Sequence, residues 1–231
     1  MLGTADIVWD VGCDHGYLSA ALAMSSAAKT VIASDISPAS AAKTLRLVSE
    51  LGLSERVRVL NTDGLSGAAP EGEYKLVLCG MGGELIAELL MQGGDIAKDA
   101  SLIVMQPMRG EEELRSFLTE NGFGITDEAA VFEDGRYYQL IAAKYGSPNE
   151  IPDWFPNGYR RFGWVMCSEP DDNVSGLVNS FRAGCLKRLE KARAKGRTPE
   201  KLVCELEAVD RILEHMAACV PSCETTGEQN A

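Results

Sequence analysis

The run Asp10-Val11-Gly12-Cys13-Asp14-His15-Gly16-Tyr17-Leu18 follows an apolar stretch, Ile7-Val8-Trp9, and precedes an alanine-rich helical pattern from Ser19 to Ala28. A strand, a tight glycine turn and a helix in that order open a doubly wound α/β fold at its nucleotide-binding end. Gly12 lets the backbone turn sharply, and Gly16 lets it come close to a ligand. A dinucleotide fingerprint has glycine where this chain has Asp14, and a carboxylate there repels a pyrophosphate. The loop suits a nucleoside cofactor without phosphate. S-adenosylmethionine, which carries a sulfonium, is the expected one.

The 231 residues suit one α/β domain with a smaller appendage, and 45% hydrophobic with 24% charged residues is ordinary for a soluble globular chain. No apolar run approaches the length of a membrane span and no secretory signal precedes the first strand, so a cytoplasmic protein is expected. Seven cysteines (Cys13, Cys79, Cys167, Cys185, Cys204, Cys219 and Cys223) are odd in number and never spaced as CxxC. They read as reduced thiols, with no metal site expected even at Cys219 and Cys223. A net charge of −12 excludes a generic nucleic-acid binder, because phosphate affinity comes from lysine and arginine. One segment departs from that balance. Arg182, Lys187, Arg188, Lys191, Arg193, Lys195, Arg197 and Lys201 face only Glu190 and Glu200, a local net of +6. Such a run is either a solvated helix face or a contact for a polyanion.

The alternation of strands and helices is regular. Val31 to Ile36 is a β-branched run, and Pro38 to Glu50 is helical in pattern. Val57 to Leu60 reads as a third strand, ending in Asn61-Thr62-Asp63-Gly64. Lys75 to Cys79 is a fourth, followed by a Gly80-Met81-Gly82-Gly83 loop and a helix through Leu90. Leu102 to Met105 is a fifth, with a helix over Glu111 to Glu120 behind it. Phe123–Phe132 and Tyr137–Ala143 then flank Glu133-Asp134-Gly135-Arg136, the pattern of a β-hairpin. Five βα units ending in an antiparallel hairpin resemble a Rossmann-like class I methyltransferase sheet, and that ending argues against a dehydrogenase. Residues 1–147 are expected to form this cofactor-binding domain, and 148–231 a linker and a helical part. Pro148, Pro152 and Pro156 mark the linker. Beyond it, Asn173–Lys195 and Pro199–Cys219 read as two helices. The stripes Leu177, Phe181, Cys185, Leu189 and Leu202, Leu206, Val209, Leu213 predict an antiparallel helical hairpin.

Three carboxylates stand at successive strand ends. Asp35 is placed to accept both ribose hydroxyls of a nucleoside cofactor, with Ile36 beside it. Asp63, with Gly64, can accept from the adenine amine. Asp10 can orient the glycine loop and reach the methionine ammonium. One such acid often only caps the next helix; three beside a glycine turn, with Gly80 across from them, point to a bound nucleoside.

Asp-His-Gly-Tyr-Leu at 14–18, Gly-Met-Gly-Gly at 80–83 and Gln106-Pro107 together resemble the bacterial tRNA (adenine-22-N(1))-methyltransferase family, over roughly residues 5 to 145 and more weakly beyond. The resemblance implies methyl transfer from S-adenosylmethionine to ring nitrogen 1 of an adenine in the tRNA D-arm. It also implies an N-terminal domain that binds the cofactor and a C-terminal helical hairpin that helps hold the RNA. Ring nitrogen 1 is a neutral lone-pair nucleophile, so catalysis should come from in-line positioning and from negative charge near the developing cation. Asp14 is the candidate carboxylate, Tyr17 a stacking or hydrogen-bonding partner of an extruded base, and His15 an RNA contact or a loop-structuring residue. Met81, Gly82, Gly83, Gln106 and Pro107 are expected to face the base. The Gly80-Met81-Gly82-Gly83 segment alternatively serves close helix–sheet packing. Arg182, Lys187, Arg188, Lys191 and Lys195 are expected to contact tRNA.

Three features depart from the family. The chain begins almost on its first strand, so a preceding helix is expected to be missing. Gln-Pro-Asn appears as Gln106-Pro107-Met108, and Phe-Gly-Pro as Phe162-Gly163-Trp164. The alternatives are a small-molecule methyltransferase on the same fold, with no use for the basic hairpin, and a non-catalytic interaction protein. A monomer is expected.

Overall fold

The computed structural model describes residues 1–25, 27–67 and 69–219; Cys223, with the rest of the tail, lies outside them. In chain order the elements are β1 (Ala5–Val11), α1 (Tyr17–Met24), β2 (Ala28–Asp35), α2 (Pro38–Glu50), β3 (Val57–Asn61), β4 (Tyr74–Gly82), α3 (Gly83–Gly93), α4 (Asp95–Asp99), β5 (Leu102–Arg109), α5 (Glu111–Glu120), β6 (Phe123–Glu133), β7 (Arg136–Tyr145), α6 (Trp164–Ser168), α7 (Asp172–Arg193) and α8 (Glu200–Cys219). The strands form one sheet in the order β3-β2-β1-β4-β5-β7-β6. β1 to β5 pair in parallel, and β7 runs antiparallel to both β5 and β6. The order reverses between β1 and β4. In such sheets the crevice at the carboxyl ends of the strands beside the switch is where ligands bind.

Local chemistry accounts for the elements that match the sequence reading. α2 starts after Ser37, whose side chain accepts the Ser40 N–H, with Pro38 in the first turn where its missing N–H costs nothing. The β6–β7 hairpin closes on Asp134 (φ 48) and Gly135 (φ 77). Both φ values are positive, as a two-residue type I′ turn requires. Along the central strands, neighbouring residues take opposite faces. Val8, Val31, Ala33, Val77 and Val104 pack with Leu22 and Val48 under α1 and α2. Trp9, Leu76, Leu78, Ile103 and Met105 pack on the other face under α3 and α5, and that core continues to Trp164, Val178, Val209 and Ile212.

Four boundaries differ from the sequence reading. The first helix ends at Met24 rather than Ala28, because β1 recruits the segment after it: the Ala5 N–H bonds to Ala27 O at 2.9 Å. β4 runs through Gly80 and Met81 to Gly82, and β5 through Gln106 and Pro107 to Arg109, where the sequence predicts loops. The two extensions pair with each other across a bulge at Gly80 (φ 78), and the Gln106 side chain accepts the Gly80 N–H at 3.1 Å. Finally, the proline-bounded stretch is packed rather than a free linker. Asn149 bonds to the backbone of Phe123 and Ile125, and Phe155 and Phe162 are buried.

α6 follows from the same packing. Arg115, fully buried, donates to Glu128 at 2.8 Å, to Gln139 at 2.7 Å and to the carbonyls of Arg160 and Arg161, both at 3.1 Å. The other Glu128 oxygen accepts the Val165 N–H at 3.1 Å. A Cβ on Gly163 would overlap the Glu128 carboxyl, so glycine is what lets the chain come this close. Beyond α6, α7 and α8 pack as a pair, with Cys185, Leu189 and Leu206 forming a small apolar cluster towards their connection.

Candidate active site

The crevice is built from strand ends. Asp10 is buried, its carboxylate accepting the Ser19 hydroxyl at 2.5 Å, and burial pushes its pKa up to about 6. After β1 the chain turns at Gly12 (φ 80), and the Gly12 and Cys13 N–H groups bond to Ser34 O at 2.8 and 2.9 Å. A Cβ on Gly12 would stand 2.8 Å from Met81 Cε, and one on Gly16 would strike Thr44. Asp35, at the end of β2, accepts the Asp14 N–H on one oxygen at 3.0 Å and the Ser37 N–H on the other at 2.8 Å. Each oxygen keeps a lone pair for a further donor.

Gly12 and Asp35 line a cavity whose floor is Val11, Gly12 and Ser34, while Asp10, Cys13 and Gly16 are not part of its lining. Asp35 and Ile36 form one wall, Asp63 and Gly64 a second, and Met81, Leu85 and Leu89 a third. Ile36 is 65% and Leu85 46% exposed, so the apolar walls stand open at the rim. Among the described residues no lysine or arginine lines the cavity, and its two carboxylates share it with apolar side chains. That donor set fits an adenosine with free hydroxyls and an amine and disfavours a pyrophosphate. Gly80, at positive φ, has open space where a side chain would be. Two thiols at the site, Cys13 and Cys79, are pushed up by burial to about 11 and 12 and stay protonated.

Other residues from the sequence reading fall elsewhere. Asp14 adopts φ 45, and its side chain turns to His15 Nδ1 at 2.6 Å. The His15 hydrogen bond holds the Asp14 carboxyl below the usual range. Lys43 Nζ lies 3.2 Å from His15 Nε2 and can only donate, so Nδ1 carries the proton toward Asp14. Tyr17, 71% exposed, stacks on His15 with ring centroids 5.9 Å apart. His15 and Tyr17 line a groove with Lys43, Arg46 and Leu47 of α2, outside the cofactor-shaped cavity. Met81 lines that cavity instead of a separate base site. Gly83 serves packing, since a Cβ there would overlap Gly110 O. Gln106 is occupied by the Gly80 N–H and by Pro107 O at 2.9 Å.

On the helical hairpin, Arg182 is ion-paired with Asp210, and Arg188 reaches Glu205 at 3.5 Å and Cys185 Sγ at 2.8 Å. These two are committed to the α7–α8 interface rather than free on an outer face. Lys187, Lys191 and Lys195 are exposed and without an ion pair among the described residues. Sequence reasoning missed Ser19, Ser34, Lys43, Arg109 and Arg161. Ser34 lines the cavity, Ser19 bonds to Asp10, Lys43 lines the α2 groove, and Arg109 and Arg161 line a separate cleft; none belongs to a local motif. Among the described residues no group of three or more His, Cys, Asp or Glu could hold a metal, and no helix is long and apolar enough to cross a membrane.

Comparison with known proteins extends this geometry. The methyltransferase domain family matches residues 1–141. The chain belongs to that family. It is 29% identical over 147 residues to the tRNA (adenine(22)-N(1))-methyltransferase of Bacillus subtilis, a match that covers 64% of this chain and 62% of the relative. The chain thus spans about three fifths of the length of the curated relatives it matches. Among solved structures it is similar to Streptococcus pneumoniae Sp1610 in complex with S-adenosyl-L-methionine, with TM-score 0.78, 24% identity and coverage of 92% of this chain and 94% of that one. It is also similar to M. capricolum TrmK in complex with S-adenosyl-homocysteine, with TM-score 0.74, 18% identity and coverage of 94% and 93%. At these identities the structural likeness establishes the fold, which includes the C-terminal helices.

Proposed function

We propose that this chain is an S-adenosylmethionine-dependent methyltransferase acting on ring nitrogen 1 of adenine 22 in the tRNA D-arm. The observation that carries the reading is the cavity beside the switch point, which Asp35 and Asp63 share with apolar side chains and which, among the described residues, no lysine or arginine lines. The substrate follows from the B. subtilis relative and from the open rim at Ile36 and Leu85. A rim of that kind suits a nucleotide offered by a macromolecule better than a small molecule that must be enclosed. Residues 1–147 then bind the cofactor and hold the reacting base, and the helices within 148–231 hold the RNA. The protein acts as a monomer in the cytoplasm, where tRNA is found.

When bound, the cofactor supplies a methyl group on a sulfonium. Asp35 would accept from the ribose hydroxyls with the lone pairs its backbone partners leave free, and Asp63 would accept from the adenine amine. Asp10 holds the α1 start through Ser19, beneath the loop that faces the methionine end. Gly80 leaves room for a planar base against the backbone. Adenine ring nitrogen 1 needs no base to expose its lone pair, so the chain's contribution is alignment and charge. Asp14, kept ionised by His15, offers negative charge at the rim as the base becomes cationic. Tyr17 and Lys43 lie in the adjacent groove and present a stacking face and a cation to RNA outside the cavity.

The test is incubation of the full chain with labelled cofactor and tRNA transcripts, followed by nucleoside analysis. Label is expected in 1-methyladenosine and is expected to vanish when adenine 22 is replaced by guanine. Label that survives that replacement, or that enters no tRNA at all, overturns the reading.

A further inference from the structure

A second cleft opens beside the first, on the other side of the β4 extension. It is lined by Gly82, Gly83, Glu84, Arg109, Glu113 and Arg161. Met81 lines the first cavity and its neighbour Gly82 lines this cleft, so the two sites lie on either side of one strand. Arg109 folds across Gly82, its Nε lying 3.7 Å from where a Cβ would stand. The Arg161 guanidinium lies over the Phe181 ring of α7, 5.2 Å from its centroid, which fixes its plane and leaves its N–H fork free. Among the described residues neither guanidinium has a carboxylate within 4.0 Å or makes a side-chain hydrogen bond. The Arg115 network grips the carbonyls of Arg160 and Arg161, so Arg161 is delivered to the cleft by a rigid backbone. The first turns of α3 and α5 meet here, and neither has a side-chain cap on its N–H groups.

We infer that Arg109 and Arg161 form a phosphodiester-binding subsite that grips the RNA backbone beside the nucleotide whose base is placed at Gly80, next to the first cavity. The inference rests on the tRNA substrate proposed above. Two planar guanidinium forks match the paired oxygens of a phosphodiester. Glu84 and Glu113 share the cleft and lower its net charge, so it holds a backbone phosphate delivered by an RNA anchored elsewhere better than a free anion. The subsite acts on positioning. It fixes the backbone so that a base turned out of its stack points along the Gly80 opening, and Phe181 links it to the helical arm.

The test measures binding of tRNA transcripts to the full chain without cofactor, across a salt series, for the parent and for Arg109→Gln, Arg161→Gln and Lys29→Gln. Lys29, paired with Asp6 at the far end of β2, controls for loss of one charge. Each arginine variant is expected to weaken tRNA binding by about tenfold. It is also expected to flatten the log–log salt slope by about one and to leave S-adenosylmethionine affinity unchanged. In turnover the loss is expected in KM for tRNA. Affinity and slope equal to those of Lys29→Gln overturn the subsite, even if tRNA is still methylated. A parent that binds tRNA and transfers no methyl overturns the proposed activity, while the affinity series still decides the subsite. A parent that binds no tRNA overturns both.

Discussion

Asp10 is a buried acid whose pKa is raised to about 6, and this has a definite sign. Between the unfolded value near 3.8 and about 6 the folded state binds more protons than the unfolded one, so this group's contribution to stability is lost as pH rises through that window. Two pKa units correspond to about 3 kcal/mol. Asp10→Asn should therefore match the parent in urea melts at pH 4 and exceed it by about 2–3 kcal/mol at pH 7. A pH-independent difference would show that burial is not what perturbs Asp10. Asp35 differs in kind, because its oxygens already hold the Asp14 and Ser37 N–H groups. Asp35→Ala should weaken S-adenosylmethionine binding by about 2–3 kcal/mol through removal of charge-assisted hydrogen bonds, and lower stability through the loop it ties. Calorimetry showing parental affinity in the folded variant would remove Asp35 from the ribose.

At the scale of elements, the fourth and fifth strands run on because they pair with each other, and the stretch after β7 is ordered because Arg115 and Glu128 hold it. The strongest test of that hold is removal of one partner. Arg115→Met leaves Glu128 buried and uncompensated and should cost about 3–5 kcal/mol, whereas Arg115→Met with Glu128→Leu should recover most of the loss. A double variant no more stable than the single would mean that the loss lies in the Arg115 bonds to Gln139 and to the Arg160 and Arg161 carbonyls rather than in an uncompensated Glu128. The same contrast explains what could be read from the chain. α2 and α5, the five parallel strands and the Asp134-Gly135 hairpin rest on local signals: a cap, a period, a turn residue. The Gly80 bulge, α4, α6 and the packing of the 148–163 stretch rest on partners distant in the chain, which no short window shows. The candidate site divides likewise. Asp35, Asp63, Gly12 and Gly64 converge because strand ends in a parallel sheet share one edge. Tyr17, read from the loop as a base-stacking partner, lies in the groove with His15 and Lys43 on the α2 side. Arg109 and Arg161 carry no motif at all.

Over the whole molecule, charge separates the body from the arm. Of the net −12, residues 182–201 hold +6, leaving −18 on the rest. An RNA substrate would therefore approach a repulsive body through a small attractive segment, and long-range steering should depend on it. Within that segment the structure distinguishes two kinds of cation. Arg182 and Arg188 are paired with Asp210 and Glu205, so their charge is partly engaged in joining α7 to α8. Lys187, Lys191 and Lys195 remain exposed. Replacing these three lysines with serine should raise the tRNA KM strongly and flatten the salt slope of binding by up to about three, one unit for each phosphate no longer neutralised. Stability and S-adenosylmethionine affinity should stay at parental values. Arg188→Ser should show the reverse balance, with a small effect on tRNA and a lower melting temperature, because Glu205 and Cys185 then have no guanidinium between them. If the triple variant binds tRNA with parental affinity and salt slope, the basic segment is a solvated face, and RNA is recruited by the two clefts and the α2 groove alone.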